Sequence, residues 1–122
     1  MTLTKLDEDF TICKLEDLSK IDLNQGYIFL AKTDEEFSLV CESRFAPRNA
    51  LATEAGWRAF RIAGVLDFGL IGIISKITSL LAEANIGVFV VSTYNTDYIF
   101  LKSFDYEKSV ALLMDNGYAF SV

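Results

Sequence analysis

Residues 70–102 read LIGIISKITSLLAEANIGVFVVSTYNTDYIFLK, and the fold turns on this stretch. Leu70, Ile73, Ile74, Ile77, Leu80, Leu81 and Ala84 recur at intervals of three and four, which lays one apolar stripe along a helix. Ser75, Lys76, Thr78, Ser79 and Glu83 fill the opposite side. Asn85 and Gly87 tolerate the left-handed backbone with which helices end. Val88–Tyr94 (VFVVSTY) and Tyr98–Ser103 (YIFLKS) then change to strand character around the turn residues Asn95, Thr96 and Asp97.

Outward from this core the order is regular. Trp57–Val65 reads as a strand, and Leu66-Asp67-Phe68-Gly69 leads from it into the helix. Beyond the hairpin, Asp105 suits the N-cap of a second helix, Tyr106–Asn116, with Val110, Leu113 and Met114 facing inward and Gly117 ending it. Tyr118–Val122 is a last short strand. The sequence β-α-β-β-α-β predicts an α+β, ferredoxin-like arrangement: four antiparallel strands with both helices on one face. The other face and the edge strands then need burial elsewhere.

The first half offers strands with little helix: Phe10–Leu15, Tyr27–Lys32 and Phe37–Glu42, the last two joined by a hairpin through Thr33–Glu36. Phe37, Leu39 and Cys41 share one face. Glu16–Ile21 has room for one helical turn, and 43–56, which holds the only proline, Pro47, reads as a connector. Residues 1–55 are thus expected as an abbreviated half and 56–122 as the fuller domain. The first half reads as a degenerate copy of the same unit, and pairing between chains would meet the same burial need.

Composition narrows the function. Of 122 residues, 52% are hydrophobic and ten are Phe, which excludes disorder. Eleven Lys and Arg against 17 Asp and Glu give a net charge of −6, a surface that phosphate backbones repel, so no nucleic-acid partner is expected. The chain has no histidine, which removes Ser-His-Asp and Cys-His catalysis and most zinc or iron sites. Cys13 and Cys41 fit small buried hydrophobes in a reducing cytosol rather than a metal site. The N-terminus lacks a signal-peptide pattern, and Ile62–Ser75 is broken by Gly64, Asp67, Gly69 and Gly72, so no membrane span is expected and a soluble cytoplasmic protein is.

Catalytic groups are thin. No serine or cysteine has a histidine to activate it, and Gly64, Gly69 and Gly72 match neither a P-loop nor a dinucleotide fingerprint, so neither an enzyme nor a cofactor is expected. Two stretches suggest ligand binding instead. Asp67-Phe68-Gly69-Leu70-Ile71-Gly72, with Ile73, forms a strand-to-helix loop whose free N–H groups attract a carboxylate. Ser92, Thr93, Tyr94, Thr96 and Asp97 gather hydroxyls and an acid that orient a ligand and hold an ammonium or guanidinium. Each has a plainer role open to it. Asp67 suits a cap, Gly69 and Gly72 suit tight backbone geometry or close helix packing, and Thr96 and Asp97 suit a turn.

Gly72–Val88 resembles the ACT-domain signature, G-x-L-x2-I-x3-L-x4-I-x-I. Val90–Lys102 (VVSTYNTDYIFLK) is similar to the S-T-[YF]-x-T-D-[YF] stretch of a narrower group, the bacterial ACT proteins related to the arginine-sensing CASTOR proteins. Glu35–Glu42 and Gly56–Phe68 also resemble that group. The resemblance implies tandem βαββαβ units, the first abbreviated. It also implies a non-enzymatic regulatory module, expected as a homodimer, that binds an amino acid at an interface between ACT units. The alternative is a protein–protein interaction module with a vestigial pocket. By that resemblance Asp67, Phe68, Gly69, Leu70, Ile71 and Gly72 form the loop that meets the ligand, and N–H groups near Ile71–Ile73 take its carboxylate. Ser92, Thr93, Tyr94, Thr96 and Asp97 complete the site, Asp97 or Asp67 taking a cationic group.

Overall fold

A computed structural model describes residues 1–65 and 71–122. Among the described residues, seven strands and two helices follow one another as β1 (Thr2–Leu15), β2 (Ile28–Lys32), β3 (Phe37–Glu42), β4 (Ala52–Ile62), α1 (Ile73–Glu83), β5 (Val88–Ser92), β6 (Asp97–Lys102), α2 (Tyr106–Asp115) and β7 (Ala119–Ser121). Short 3-10 turns, Ser43–Phe45 and Ser103–Asp105, follow β3 and β6. The chain parts into a larger unit, residues 1–7 with 58–122, and a smaller one, residues 8–57. Strands β1 and β4 each contribute to both.

In the larger unit the order β4-α1-β5-β6-α2-β7 is the expected βαββαβ, with strands arranged β7-β1-β4-β6-β5. The apolar stripe of α1 places Ile77 and Leu81 at zero exposure, and α2 adds Tyr106, Val110 and Leu113. Both helices bury these residues in one core with Leu3, Phe60, Ile62, Ile99 and Leu101 of the strands, so they share one sheet face. Full burial of each such side chain contributes about 1.5–3 kcal/mol. The Tyr106 hydroxyl donates to the Ala59 carbonyl at 2.9 Å, and the Arg58 guanidinium lies 4.1 Å from its ring centroid.

One strand was not expected there. The start of β1 lies between β4 and β7: the Ala63 amide donates to the Thr2 carbonyl at 3.0 Å, and Thr2–Thr4 pair in parallel with Ala119–Ser121. Sequence alternation places the first strand only at Phe10. The buried Leu3 and Leu6 stand three apart, so they face opposite sides of the strand and break the period of two. Likewise β4 begins at Ala52 rather than Trp57, because Ala52–Gly56 is exposed and carries no apolar alternation.

Both helices end in the same way. Asn85 (φ 60°) and Gly117 (φ 92°) take left-handed backbone. Ile86 and Tyr118 donate to the carbonyls of Leu81 and Leu113, and Asn85 and Gly117 to those of Ala82 and Met114, the 6→1 and 5→2 bonds of a Schellman turn. Asp105 stands at the N-cap of α2 but makes no capping bond through its side chain. Met114, expected inside, is 55% exposed: it stands one residue, or about 100° around the helix, from the fully buried Leu113.

The smaller unit has the order β2-β3-β1-β4. Its core joins Cys13, Leu15, Leu39 and Cys41, covered by Leu18, Ile21, Ala46 and Ala50 from turns instead of helices, and the helical turn expected at Glu16–Ile21 does not form. Both thiols are free and buried. Burial pushes the Cys41 thiol up to about 12, helped by its neighbours Cys13 and Glu42.

The two units share a register. Strand boundaries Ile28, Lys32, Phe37 and Glu42 recur 60 residues later as Val88, Ser92, Asp97 and Lys102, and the 3-10 turn at Ser43 recurs at Ser103. The pair Ile28↔Cys41 has its counterpart in Val88↔Leu101.

Candidate functional site

The N-terminus of α1 is set by Gly72, whose φ of 83° is left-handed, and the amide of Lys76 donates to its carbonyl at 3.0 Å. A β-carbon there would meet nothing within 4 Å among the described residues, and the left-handed φ is the backbone geometry that calls for a glycine. Among the described residues, the first turn of α1 carries no acidic residue and Gly72 makes no side-chain capping bond, so nothing there offsets the positive end of the helix dipole. Lys76 adds a full positive charge one turn in.

This helix start opens onto a cavity of about 340 Å³ lined by Ile71, Gly72, Ile73 and Lys76 on one side and by Asn116, Gly117 and Tyr118, with Met1, on the other. That volume lies at the lower end of small-molecule sites. The second wall is the Schellman turn that ends α2, where the helix dipole is negative. Its carbonyls are partly engaged: Leu112 accepts from Asn116 Nδ2 at 2.8 Å, and Leu113 and Met114 accept the turn's own amides. A positive helix start and a negative helix end therefore bound one hollow, which suits a small zwitterion.

Of the expected site residues, Ile71, Gly72 and Ile73 line this cavity, Ile71 with 94% of its surface exposed. Asp67, Phe68, Gly69 and Leu70 lie outside the described residues. Ser92, Thr93, Tyr94, Thr96 and Asp97 gather in the β5–β6 turn and are not among the cavity's lining residues. Thr93 and Thr96 close that turn: the Thr93 amide donates to the Thr96 carbonyl at 2.8 Å, and the Thr96 amide to Thr93 Oγ1 at 3.4 Å. Ser92 Oγ donates to Asp97 Oδ1 at 2.5 Å, and Tyr94 is 82% exposed.

The turn is tied to the end of β4. Thr96 is 5% exposed, and its hydroxyl donates to the carbonyl of Ile62, the last residue of β4, at 2.8 Å. The hairpin thus sits where the chain leaves β4 toward α1. Lys76, Asn116, Gly117 and Tyr118 were not singled out from sequence. A lysine in the first helical turn, against the dipole preference, was the available signal for the first, whereas the others come near only through helix packing.

The sequence model of the ACT domain family matches residues 52–115. No curated protein sequence matches the chain. Among solved structures, the chain is similar to the Agrobacterium tumefaciens protein Atu0741, at 30% identity and a TM-score of 0.86, covering 98% of this chain and 91% of that one. It is similar in fold to VC0802 from Vibrio cholerae, at 18% identity and a TM-score of 0.74, with 93% and 88% covered. It also resembles part of the aspartate kinase of Clostridium acetobutylicum, at 15% identity and a TM-score of 0.64, covering 88% of this chain but 33% of the kinase.

Proposed function

The chain belongs to the ACT domain family, and on that premise we propose that it is a non-enzymatic regulatory module that binds a small molecule, an amino acid, and works as a cytoplasmic homodimer. The observation that carries this reading is the cavity between the start of α1 and the end of α2. The ligand's carboxylate meets the N–H groups that open α1 at Ile73 and the Lys76 ammonium, and its amino group turns toward the negative end of α2. Asp97, in the turn held at the exit of β4, is the proposed partner of a cationic side chain on the ligand. The similarity to an aspartate kinase described as an allosteric enzyme supports regulation as the role.

Kinship with the bacterial ACT proteins related to the arginine-sensing CASTOR proteins belongs to the same proposal and rests on VVSTYNTDYIFLK (Val90–Lys102). So does the reading of residues 1–55 as an abbreviated ACT-like half, which the 60-residue offset between the two hairpins supports.

A thermal-shift screen against the twenty amino acids tests the proposal. At about a hundred times its dissociation constant a true ligand adds about 2.7 kcal/mol of stability, a clear rise in Tm. An Asp97→Ala variant that binds every amino acid as the parent does removes Asp97 from the site. A protein that responds to none favours the second reading, an interaction module with a vestigial pocket. The exposed side chains of Val65, Ile71 and Tyr94 are the observation on its side.

A further inference from the structure

Two turns of the same construction stand 60 residues apart, and they differ in what the fourth residue of each does with its side chain. In the smaller unit the Thr33 amide donates to the Glu36 carbonyl at 3.0 Å and the Glu36 amide to Thr33 Oγ1 at 3.1 Å. In the larger unit Thr93 and Thr96 make the same two bonds. Glu36 is exposed, whereas Thr96 is buried and reaches the Ile62 carbonyl with its hydroxyl. The turn therefore forms without a side chain reaching out from its fourth position. The Thr96–Ile62 bond serves something other than making the turn.

We propose that Thr96 is a positioning residue rather than a ligand contact: acting through Ile62, it fixes the β5–β6 turn and the exit of β4 as one rigid corner of the ligand site. The inference rests on the amino-acid-binding reading above. Its geometry is direct. The hydroxyl is committed to the carbonyl at 2.8 Å and the side chain is 5% exposed, so little of it is left for a ligand. Ile62 is the last residue of β4 before the connection to α1. Its carbonyl also accepts from Arg61 Nη1 at 3.3 Å, and the next amide, of Ala63, donates to the Thr2 carbonyl at 3.0 Å. Asp97 follows Thr96 directly, so anchoring Thr96 also sets where the Asp97 carboxylate stands. A shift at either side of the latch is felt at the other.

The test compares Thr96→Val, which keeps the shape and loses the hydroxyl, with Thr96→Ser, which keeps the hydroxyl, and with Tyr106→Phe, which loses a buried hydroxyl elsewhere in the same unit. Amide hydrogen exchange at Ala63 and Thr93 should quicken about tenfold in Thr96→Val relative to Tyr106→Phe, and Thr96→Ser should restore the parent rates. For the amino acid giving the parent its largest thermal shift, Thr96→Val should weaken binding about tenfold while Thr96→Ser and Tyr106→Phe stay within about threefold. Equal exchange in Thr96→Val and Tyr106→Phe overturns the latch, as does loss of binding that Thr96→Ser does not rescue. If the parent responds to no amino acid, the ligand reading fails, and with it the positioning role. The exchange measurement still decides whether Thr96 couples the turn to β4.

Discussion

The carboxylate of Glu42 occupies the space that a side chain at Gly26 would fill: a β-carbon at residue 26 would lie 1.8 Å from Glu42 Oε2. The same oxygen accepts the amide of Tyr27 at 2.8 Å, Oε1 pairs with Arg44 at 3.1 Å, and Glu42 is 4% exposed. Gly26 also holds a φ of 63°, where a β-carbon is strained. Gly26→Ala should displace the carboxylate from its amide and cost roughly 2–4 kcal/mol from these two effects. Urea unfolding checks it, and a variant as stable as the parent would show that Glu42 has another place to go.

Cys41 makes the smaller unit sensitive to alkali. Its thiol is held up to about 12 in the folded chain, against 9.0 unperturbed, so the native state keeps its proton where the unfolded state releases it. The stabilisation is whole below pH 9 and is lost as pH rises from 9 toward about 12, at up to about 1.4 kcal/mol per pH unit for one group. Cys13 is shifted in the same direction by burial. Urea midpoints between pH 8.5 and 10.5 should fall steeply in the parent and less steeply in Cys41→Ala, and equal slopes would contradict this.

Neighbouring positions on α2 should answer very differently. Leu113 is fully buried, and Leu113→Ala should cost about 2–5 kcal/mol through lost contacts and the cavity left behind. Met114 is largely in solvent, and Met114→Gln should stay within about 0.5 kcal/mol of the parent. Thermal denaturation of the two variants fixes the rotational phase of the helix.

In the proposed site Lys76 serves the ligand at some expense to its helix. Lys76→Gln removes a positive charge from the positive end of α1, so stability should hold or rise by up to about 0.5 kcal/mol. Affinity for the amino acid that shifts the parent should fall roughly 3- to 30-fold, the loss expected for one charge-assisted bond. Calorimetric titration reads the affinity, and unchanged binding would take Lys76 out of the site.

Legibility in the sequence followed how local each cause is. The stripe from Ile73 to Leu81 and the strand Phe37–Glu42 could be read directly, because periodicity alone sets them. The early start of β1 could not, since Leu3 and Leu6 face opposite sides, nor could Ala52–Gly56, a strand segment exposed to solvent. At the site, Gly72 and Ile73 were visible as a helix start. Asn116–Tyr118 join them only through the packing of α2 beside α1, which no spacing encodes. Thr96 was legible as a polar turn residue, but its bond to Ile62 spans 34 positions of chain.

Amide chemical shifts followed through a titration with each of the twenty amino acids test the central claim most directly. One of them should move Gly72, Ile73 and Lys76 together with Thr93, Thr96 and Asp97, all along a single saturation curve. No movement with any amino acid, or movement at the helix start with the β5–β6 turn left unchanged, would contradict it.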